Sequence, residues 1–200
     1  DPKADIWSYE DKDGTDVAGV EMIYKKGQVD AVMVSYDKPR YIFLNLEFEK
    51  DISFLQKQHA GFPFIENKDL SRNKWIIHYE QDDAPRAYYL YDRVSKKLDL
   101  LFENQPELKK YKLAKMEPVE IKSRDGLTLV GYLSLPVGVE PKNLPMVMSP
   151  HGGPWFRDDW QYAPELQWLA NRGYAVLTVN FRGSTGYGKK FLNAGNGEWS

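Results

Sequence analysis

The chain has 200 residues, of which 42% are hydrophobic and 28% charged, and its mean hydropathy is −0.59. This balance excludes a disordered chain and a membrane-embedded one. With 27 basic and 29 acidic residues the net charge is −2, so the basic field of a nucleic-acid-binding protein is lacking. The absence of cysteine excludes disulfides, thiolate metal sites and cysteine nucleophiles, but it leaves the compartment open between cytoplasm and periplasm or secretion.

The first half of the sequence is rich in strand-forming residues. Residues 29–44, VDAVMVSYDKPRYIFL, are two β-prone runs joined by a turn at Asp37 to Pro39, which predicts a hairpin. Residues 74–103 contain three such runs separated by two polar turns, which predicts an antiparallel meander. Residues 47–58 fit either a short helix or a bent strand.

A Pro-Arg pair precedes an aromatic run in both regions. The pairs Pro39-Arg40 and Pro85-Arg86 lie 46 residues apart. Repeats of this length are typical of β-propeller blades, which have four strands each. The spacing therefore predicts about two blades, with two unrelated hairpins as the alternative.

The composition changes after Leu108 through a lysine-rich segment, KKYKLAK, which we interpret as a solvated linker. Two alternating runs then flank Asp125-Gly126, which predicts another hairpin. We place a domain boundary near residue 112, between a β-rich region at 1–112 and a second region at 113–200.

The second region has the pattern of an α/β sheet. Residues 145–149 (PMVMS) predict a short, buried strand. A helix follows, with Pro164 in its first turn and Gly173 beyond its end. Residues 174–181 (YAVLTVNF) predict a strand that is buried on both faces. Strand, loop, helix and strand in this order make a βαβ unit.

Two glycine-rich turns follow predicted strands, and the strand ends of parallel sheets are where such folds bind ligands. The first turn is His151-Gly152-Gly153-Pro154. Without Cβ atoms in the way, its backbone N–H groups are able to face a cavity, as an oxyanion hole requires. A plain turn is the alternative.

The second turn runs from Gly183 to Lys189 and matches the first seven positions of the phosphate-binding pattern GxxxxGK[ST]. Lys190 stands where the pattern needs the hydroxyl that coordinates Mg²⁺. A nucleotide-binding domain therefore remains an alternative function. Ser184 does not fit a nucleophile elbow, because G-x-S-x-G requires glycine where this chain has Arg182.

Together, HGGP, the helix and NRGYAVLTVNFRGSTGYG resemble the prolyl oligopeptidase family of serine peptidases, most closely its acylaminoacyl-peptidase-like branch. The resemblance is strongest over residues 145–200. It implies the C-terminal blades of a β-propeller in residues 1–112, followed by the N-terminal part of an α/β-hydrolase domain in residues 113–200. It also implies hydrolysis of short peptides through an acyl-enzyme, with no cofactor, metal, nucleic acid or membrane involved, and it leaves homo-oligomerisation open.

The resemblance assigns the Gly153 N–H as an oxyanion donor and places Gly152 and His151 in the same loop. The family's G-x-S-x-G-G elbow and its Asp and His lie beyond the position of Ser200. We therefore expect a fragment that holds no nucleophile, acid or base and is inactive alone. We expect His59 and His78 to lie in the β-rich half, with His78 a packed or edge histidine of its strand, and a non-catalytic binding module is the third interpretation.

Overall fold

The structure is a computed structural model that describes residues 9–23, 27–153 and 155–198. The opening residues Asp1 to Lys3, Pro154 of the first glycine turn and Ser200 lie outside these ranges. The described residues form three small sheets with three α-helices and one 3-10 helix. Within these ranges, no helix has the length and apolarity needed to cross a membrane.

The first sheet is antiparallel, in the order β1-β2-β3, and α1 follows it. The predicted hairpin at 29–44 is confirmed as β2 and β3. Residues 47–58, which fit two predictions, form most of α1, and the Asn45 side chain caps this helix by accepting a hydrogen bond from Glu47 N at 3.0 Å. The elements are β1 Val17–Ile23, β2 Gln28–Ser35, β3 Pro39–Phe43 and α1 Leu46–Gln56.

The second sheet is a four-stranded antiparallel meander. It confirms the three strands predicted at 74–103 and adds one before them. The 46-residue spacing would place a fourth strand of the first sheet directly after β3, where α1 lies instead. The elements are β4 Phe62–Lys68, β5 Lys74–Glu80, β6 Ala87–Asp92, β7 Lys97–Glu103 and the 3-10 helix Pro106–Lys110.

The main core lies between the first two sheets and α1. Trp75, Ile77 and Tyr79 alternate along β5, so all three point to the same face and are fully buried. Phe48 of α1 packs on the Trp75 ring with 5.5 Å between centroids, and Tyr91 packs on its other side at 5.7 Å. Burial of each large side chain contributes about 1.5–3 kcal/mol, so this face joins the two sheets into one unit.

The third sheet has the order β10-β11-β9-β8, in which β10 and β11 are parallel. It confirms the hairpin around Asp125-Gly126 as β8 and β9, and it confirms the βαβ unit as β10, α2 and β11. The elements are β8 Met116–Lys122, β9 Thr128–Ser134, β10 Met146–Met148, α2 Pro164–Ala170, β11 Ala175–Val179 and α3 Gly188–Asn193.

The predicted burial of the strand at 145–149 is wrong. The strand forms as β10, but Met146 is 56% exposed and Met148 is 63% exposed. The physical reason is that β10 is the edge of the sheet, where the described residues supply a neighbouring strand, β11, on one side alone. Two apolar side chains therefore stand on an uncovered face.

Asp51 is a buried carboxylate of α1 that ties this helix to the second sheet. Its oxygens accept hydrogen bonds from Tyr91 Oη and Arg93 Nε, each at 2.7 Å, and form an ion pair with Lys96. Burial acts to raise the pKa of this carboxyl, but the hydrogen bonds from Lys96, Tyr91 and Arg93 outweigh it and hold the pKa below its ordinary value. A lowered folded-state pKa stabilises the fold above the unfolded-state pKa, and this stabilisation is lost as the pH falls through the folded-state pKa.

We expect Asp51→Asn to lower the free energy of unfolding by about 2–4 kcal/mol at neutral pH, because it leaves Arg93 and Lys96 without their anion. The difference from wild type should narrow as the pH falls below about 4. Thermal unfolding across this pH range measures both effects. Glu47→Gln is the matched control, because Glu47 pairs with Lys50 on the same helix but both side chains are exposed. Equal losses in the two variants would contradict a stabilising role for the buried cluster.

Candidate active site

The loop that follows β10 brings the two glycine-rich turns together. The backbone of Ser149 still pairs with β11 by donating to Leu177 O at 2.9 Å. The His151 ring then stacks on Phe181, with 4.4 Å between centroids. Its Nε2 lies 2.8 Å from Ser184 Oγ in the second turn. The structure therefore joins at one point two motifs that the sequence separates by about thirty residues.

The glycines of the first turn are open to solvent. Gly152 and Gly153 are both exposed, and a Cβ added at Gly152 would meet no atom within 4 Å. A Cβ at Gly153 would lie 3.2 Å from Trp155 N, which is a tight contact. Among the described residues, no acceptor takes a hydrogen bond from the Gly153 N–H. This backbone donor is therefore available to a ligand.

The segment after this turn is fixed by residues at and beyond the end of β11. Phe156 O accepts a hydrogen bond from Thr185 N at 3.0 Å. Asn180, which is fully buried, pairs with the backbone of Asp158 in both directions: its Oδ1 accepts from Asp158 N at 2.8 Å, and its Nδ2 donates to Asp158 O at 3.0 Å. These paired contacts hold residues 156–158 against the third sheet.

Two carboxyls of this segment, Asp158 and Asp159, have raised pKa values. Burial raises the pKa of Asp158, and the opposing effects of His151 do not cancel it. Burial also raises the pKa of Asp159, against the lowering effect of the Arg157 cation.

The pair of His151 and Ser184 has the distance of a serine–histidine couple but not its chemistry. Ser184 is fully buried, and its hydroxyl donates to Phe181 O at 2.7 Å. A nucleophile has to reach a substrate carbon, so this hydroxyl serves to hold the two turns together. The sequence analysis predicted neither this contact nor the role of Asn180. The only signal for either is their position directly after a buried strand.

The other two histidines lie in the β-rich half, as expected. The His59 ring lies 5.1 Å from the Tyr79 ring and 4.8 Å from the Tyr89 ring, centroid to centroid. His78 is buried and stacks on Phe64 at 5.2 Å. Neither histidine belongs to the glycine turns.

The nucleotide-binding alternative is not favoured, because the second turn uses its N–H groups within the protein. Gly183 N donates to Phe191 O at 3.1 Å, and Gly188 N donates to the Asp16 carboxylate at 3.2 Å. The N–H groups of residues 184 and 185 are also paired, with Phe181 O and Phe156 O. A phosphate-binding loop needs such donors unpaired, and it does not place a carboxylate among them.

Comparison with known proteins points to one family. The model of the prolyl oligopeptidase family matches residues 160–200. Dipeptidyl aminopeptidase BIII of Pseudoxanthomonas mexicana is 43% identical over 192 residues, which cover 92% of this chain. Dipeptidyl peptidase family member 6 of Caenorhabditis elegans is 38% identical over 84% of this chain. The acylaminoacyl peptidase structure of Pyrococcus horikoshii matches 89% of this chain and 27% of that chain, with a TM-score of 0.59 at 23% identity, which indicates a shared fold.

The matched proteins are named as peptidases. In the fold that they share with this chain, a β-rich region precedes an α/β sheet. These matches identify the prolyl oligopeptidase family as the one that this chain resembles. It spans 28% and 26% of the length of the two curated relatives.

We expect that ATP with Mg²⁺ does not bind and therefore leaves the melting temperature of the protein unchanged. A ligand that binds the native state has to raise that temperature. Lys189→Ala should show the same lack of response to the nucleotide, because the Lys189 side chain is exposed. Differential scanning fluorimetry with and without the nucleotide tests both points. A nucleotide-dependent rise in wild type that disappears in Lys189→Ala would restore the nucleotide interpretation.

Proposed function

We propose that this chain supplies the oxyanion loop of a serine peptidase that hydrolyses short peptides through an acyl-enzyme. The observation that carries the proposal is the exposed Gly153 N–H, which has no acceptor among the described residues and lies at the end of a parallel strand. The names of the relatives, a dipeptidyl aminopeptidase and a dipeptidyl peptidase family member, support short peptides as the substrate class.

The proposed architecture has a β-propeller followed by an α/β-hydrolase domain, with the boundary near residue 112. The first two sheets would be propeller blades, and β8 to β11 would begin the hydrolase sheet. The exposed side chains of Met146 and Met148 support this arrangement, because a further strand and helix beside β10 would cover them. The nucleophile elbow would follow that further strand, as it does in α/β-hydrolases.

In the proposed reaction a serine outside this chain attacks the scissile carbonyl carbon and passes its proton to a histidine base. The carbonyl π electrons move to oxygen, and the Gly153 N–H donates to the resulting oxyanion. When the carbonyl re-forms, the amine leaves with the proton from the histidine, and water later hydrolyses the ester by the same steps. His151 and Gly152 would shape the loop without taking part in proton transfer.

We expect Gly153→Val in the full-length protein to lower kcat on a short chromogenic peptide by roughly 10²–10³-fold, because its side chain would crowd the oxyanion donor. The melting temperature should shift little, since this glycine is exposed.

Gly19→Val is the matched control: a Cβ there would lie 3.3 Å from the flexible end of Met33, a similarly tight contact within the first sheet. This control should keep kcat within about two-fold, the scatter that surface substitutions produce. A normal kcat in Gly153→Val would contradict the oxyanion assignment, and equal losses in both variants would indicate a general effect of crowding.

The location of the nucleophile gives a separate test. We expect the 200-residue chain to take no label from a fluorophosphonate, whereas the full-length protein should be labelled at one serine. Intact mass spectrometry measures both. Stoichiometric labelling of the 200-residue chain would place the nucleophile inside it, and loss of that label in Ser184→Ala would identify Ser184 as the reactive residue.

A further inference from the structure

We propose that Arg157 is a positioning residue for the oxyanion loop, which it holds in register with the main chain of the first sheet. The inference rests on the proposed function, because it concerns the geometry of that loop. It assigns to the contact between the two halves of the chain a direct effect on the rate of the chemical step.

The Arg157 guanidinium crosses from the loop to the end of β2. Its Nη1 donates to Ser35 O at 2.9 Å, and its Nη2 donates to Tyr36 O at 3.2 Å. The side chain is 13% exposed. A planar group with donors in a fixed fork matches two successive carbonyls in both distance and direction, which a lysine ammonium does not.

The opposite side of the guanidinium is held by the second glycine turn. It lies over the Tyr187 ring, 4.5 Å from the centroid, and its Nη2 donates to Tyr187 Oη at 3.1 Å. The same hydroxyl accepts a hydrogen bond from Asn180 Nδ2 at 2.8 Å, and Arg157 Nε lies 2.8 Å from the Asp159 carboxylate. The Arg157 side chain is therefore fixed by the first sheet, the second turn and its own loop at once.

Gly186 explains how the guanidinium fits so closely against the second turn. A Cβ at this glycine would lie 2.3 Å from Arg157 Nη1, and its φ of +88° is one that glycine adopts without strain. Any side chain at this position would displace the guanidinium from its carbonyls. This glycine is thus explained by the place that the arginine occupies.

The constraint acts on the loop through the residues on either side of Arg157. Phe156 and Asp158, the neighbours of Arg157, are both pinned by backbone hydrogen bonds. Gly153 lies four residues before Arg157. A misplacement of about 1 Å in a catalytic group lowers the rate by about 10²-fold, so small shifts of this segment matter.

The test compares Arg157→Gln and Arg157→Lys with wild type in the full-length protein, using a short chromogenic peptide and a fluorophosphonate. We expect Arg157→Gln to lower kcat and the fluorophosphonate labelling rate together, each by about 10–100-fold. KM should change by less than about three-fold, because Arg157 makes no contact with the substrate in this proposal. Arg157→Lys should restore part of the loss through its charge and single donor.

Gln167→Ala is the matched control. It removes the hydrogen bond from Gln167 Nε2 to Asp82 O at 3.1 Å, which also joins the two halves but comes from α2 rather than from the loop. It should lower the melting temperature by as much as Arg157→Gln does, yet keep kcat within about two-fold.

The outcomes distinguish failure of the proposed function from failure of the proposed role of Arg157. A full-length wild type that neither cleaves peptides nor takes the label would overturn the proposed function itself. An active wild type whose Arg157→Gln variant loses melting temperature but keeps kcat, or loses no more kcat than Gln167→Ala, would overturn the role of Arg157 alone. If the glutamine variant does not fold, the same comparison of kcat with KM in Arg157→Lys decides, and a kcat equal to that of wild type would again overturn the role.

Discussion

Several of the hydrogen bonds that join the two halves of this chain run from side chains to main-chain carbonyls, and the site depends on this constraint. Buried polar groups have to be paired, and a carbonyl oxygen is an acceptor whichever side chain its residue carries. The junction therefore fixes distances between backbones more directly than contacts between two side chains would. The donors are Arg157, Tyr132 and Gln167, and they reach the carbonyls of Ser35, Tyr36, Asp37 and Asp82.

This constraint makes the two glycine turns one structural unit. The contact between His151 and Ser184 joins their first halves, and the hydrogen bond from Thr185 N to Phe156 O joins their second halves. The first turn consequently leaves its N–H groups open to solvent. The second turn uses its N–H groups in hydrogen bonds within the protein. A division of this kind between a presenting loop and a supporting loop is what a preorganised donor needs, since reorganisation at the moment of reaction would cost rate.

Local signals made the strands and the βαβ unit predictable. Turn residues such as Asp125-Gly126, and the alternation of apolar residues along β5, act over a few positions and are visible in the sequence alone. The burial of β10 was mispredicted because it depends on strands far from it in the chain. The contacts of Arg157 with Ser35 span 122 residues, so no local pattern reports them. The exposed glycine loop lies between these cases. Its sequence predicted a turn able to form an oxyanion hole, but the distant contacts that hold this loop in place could not be predicted.

The second turn shows why a short motif needs its structural context. Its match to a phosphate-binding loop rests on Gly183, Gly188 and Lys189, with Gly186 between them. Gly188 has a φ of +81°, and a Cβ there would lie 2.6 Å from Gly14 O, so close backbone approach requires the glycine. Gly183 and Gly186 also adopt left-handed φ values, and Gly186 makes room for the Arg157 guanidinium. Gly186 and Gly188 are accounted for by packing against the loop and the N-terminal segment, Gly183 by its left-handed φ, and the lysine is exposed. Phosphate loops need glycines so that the backbone is able to approach the phosphate closely. In this turn the glycines let the backbone approach groups of the protein itself, which accounts for the pattern.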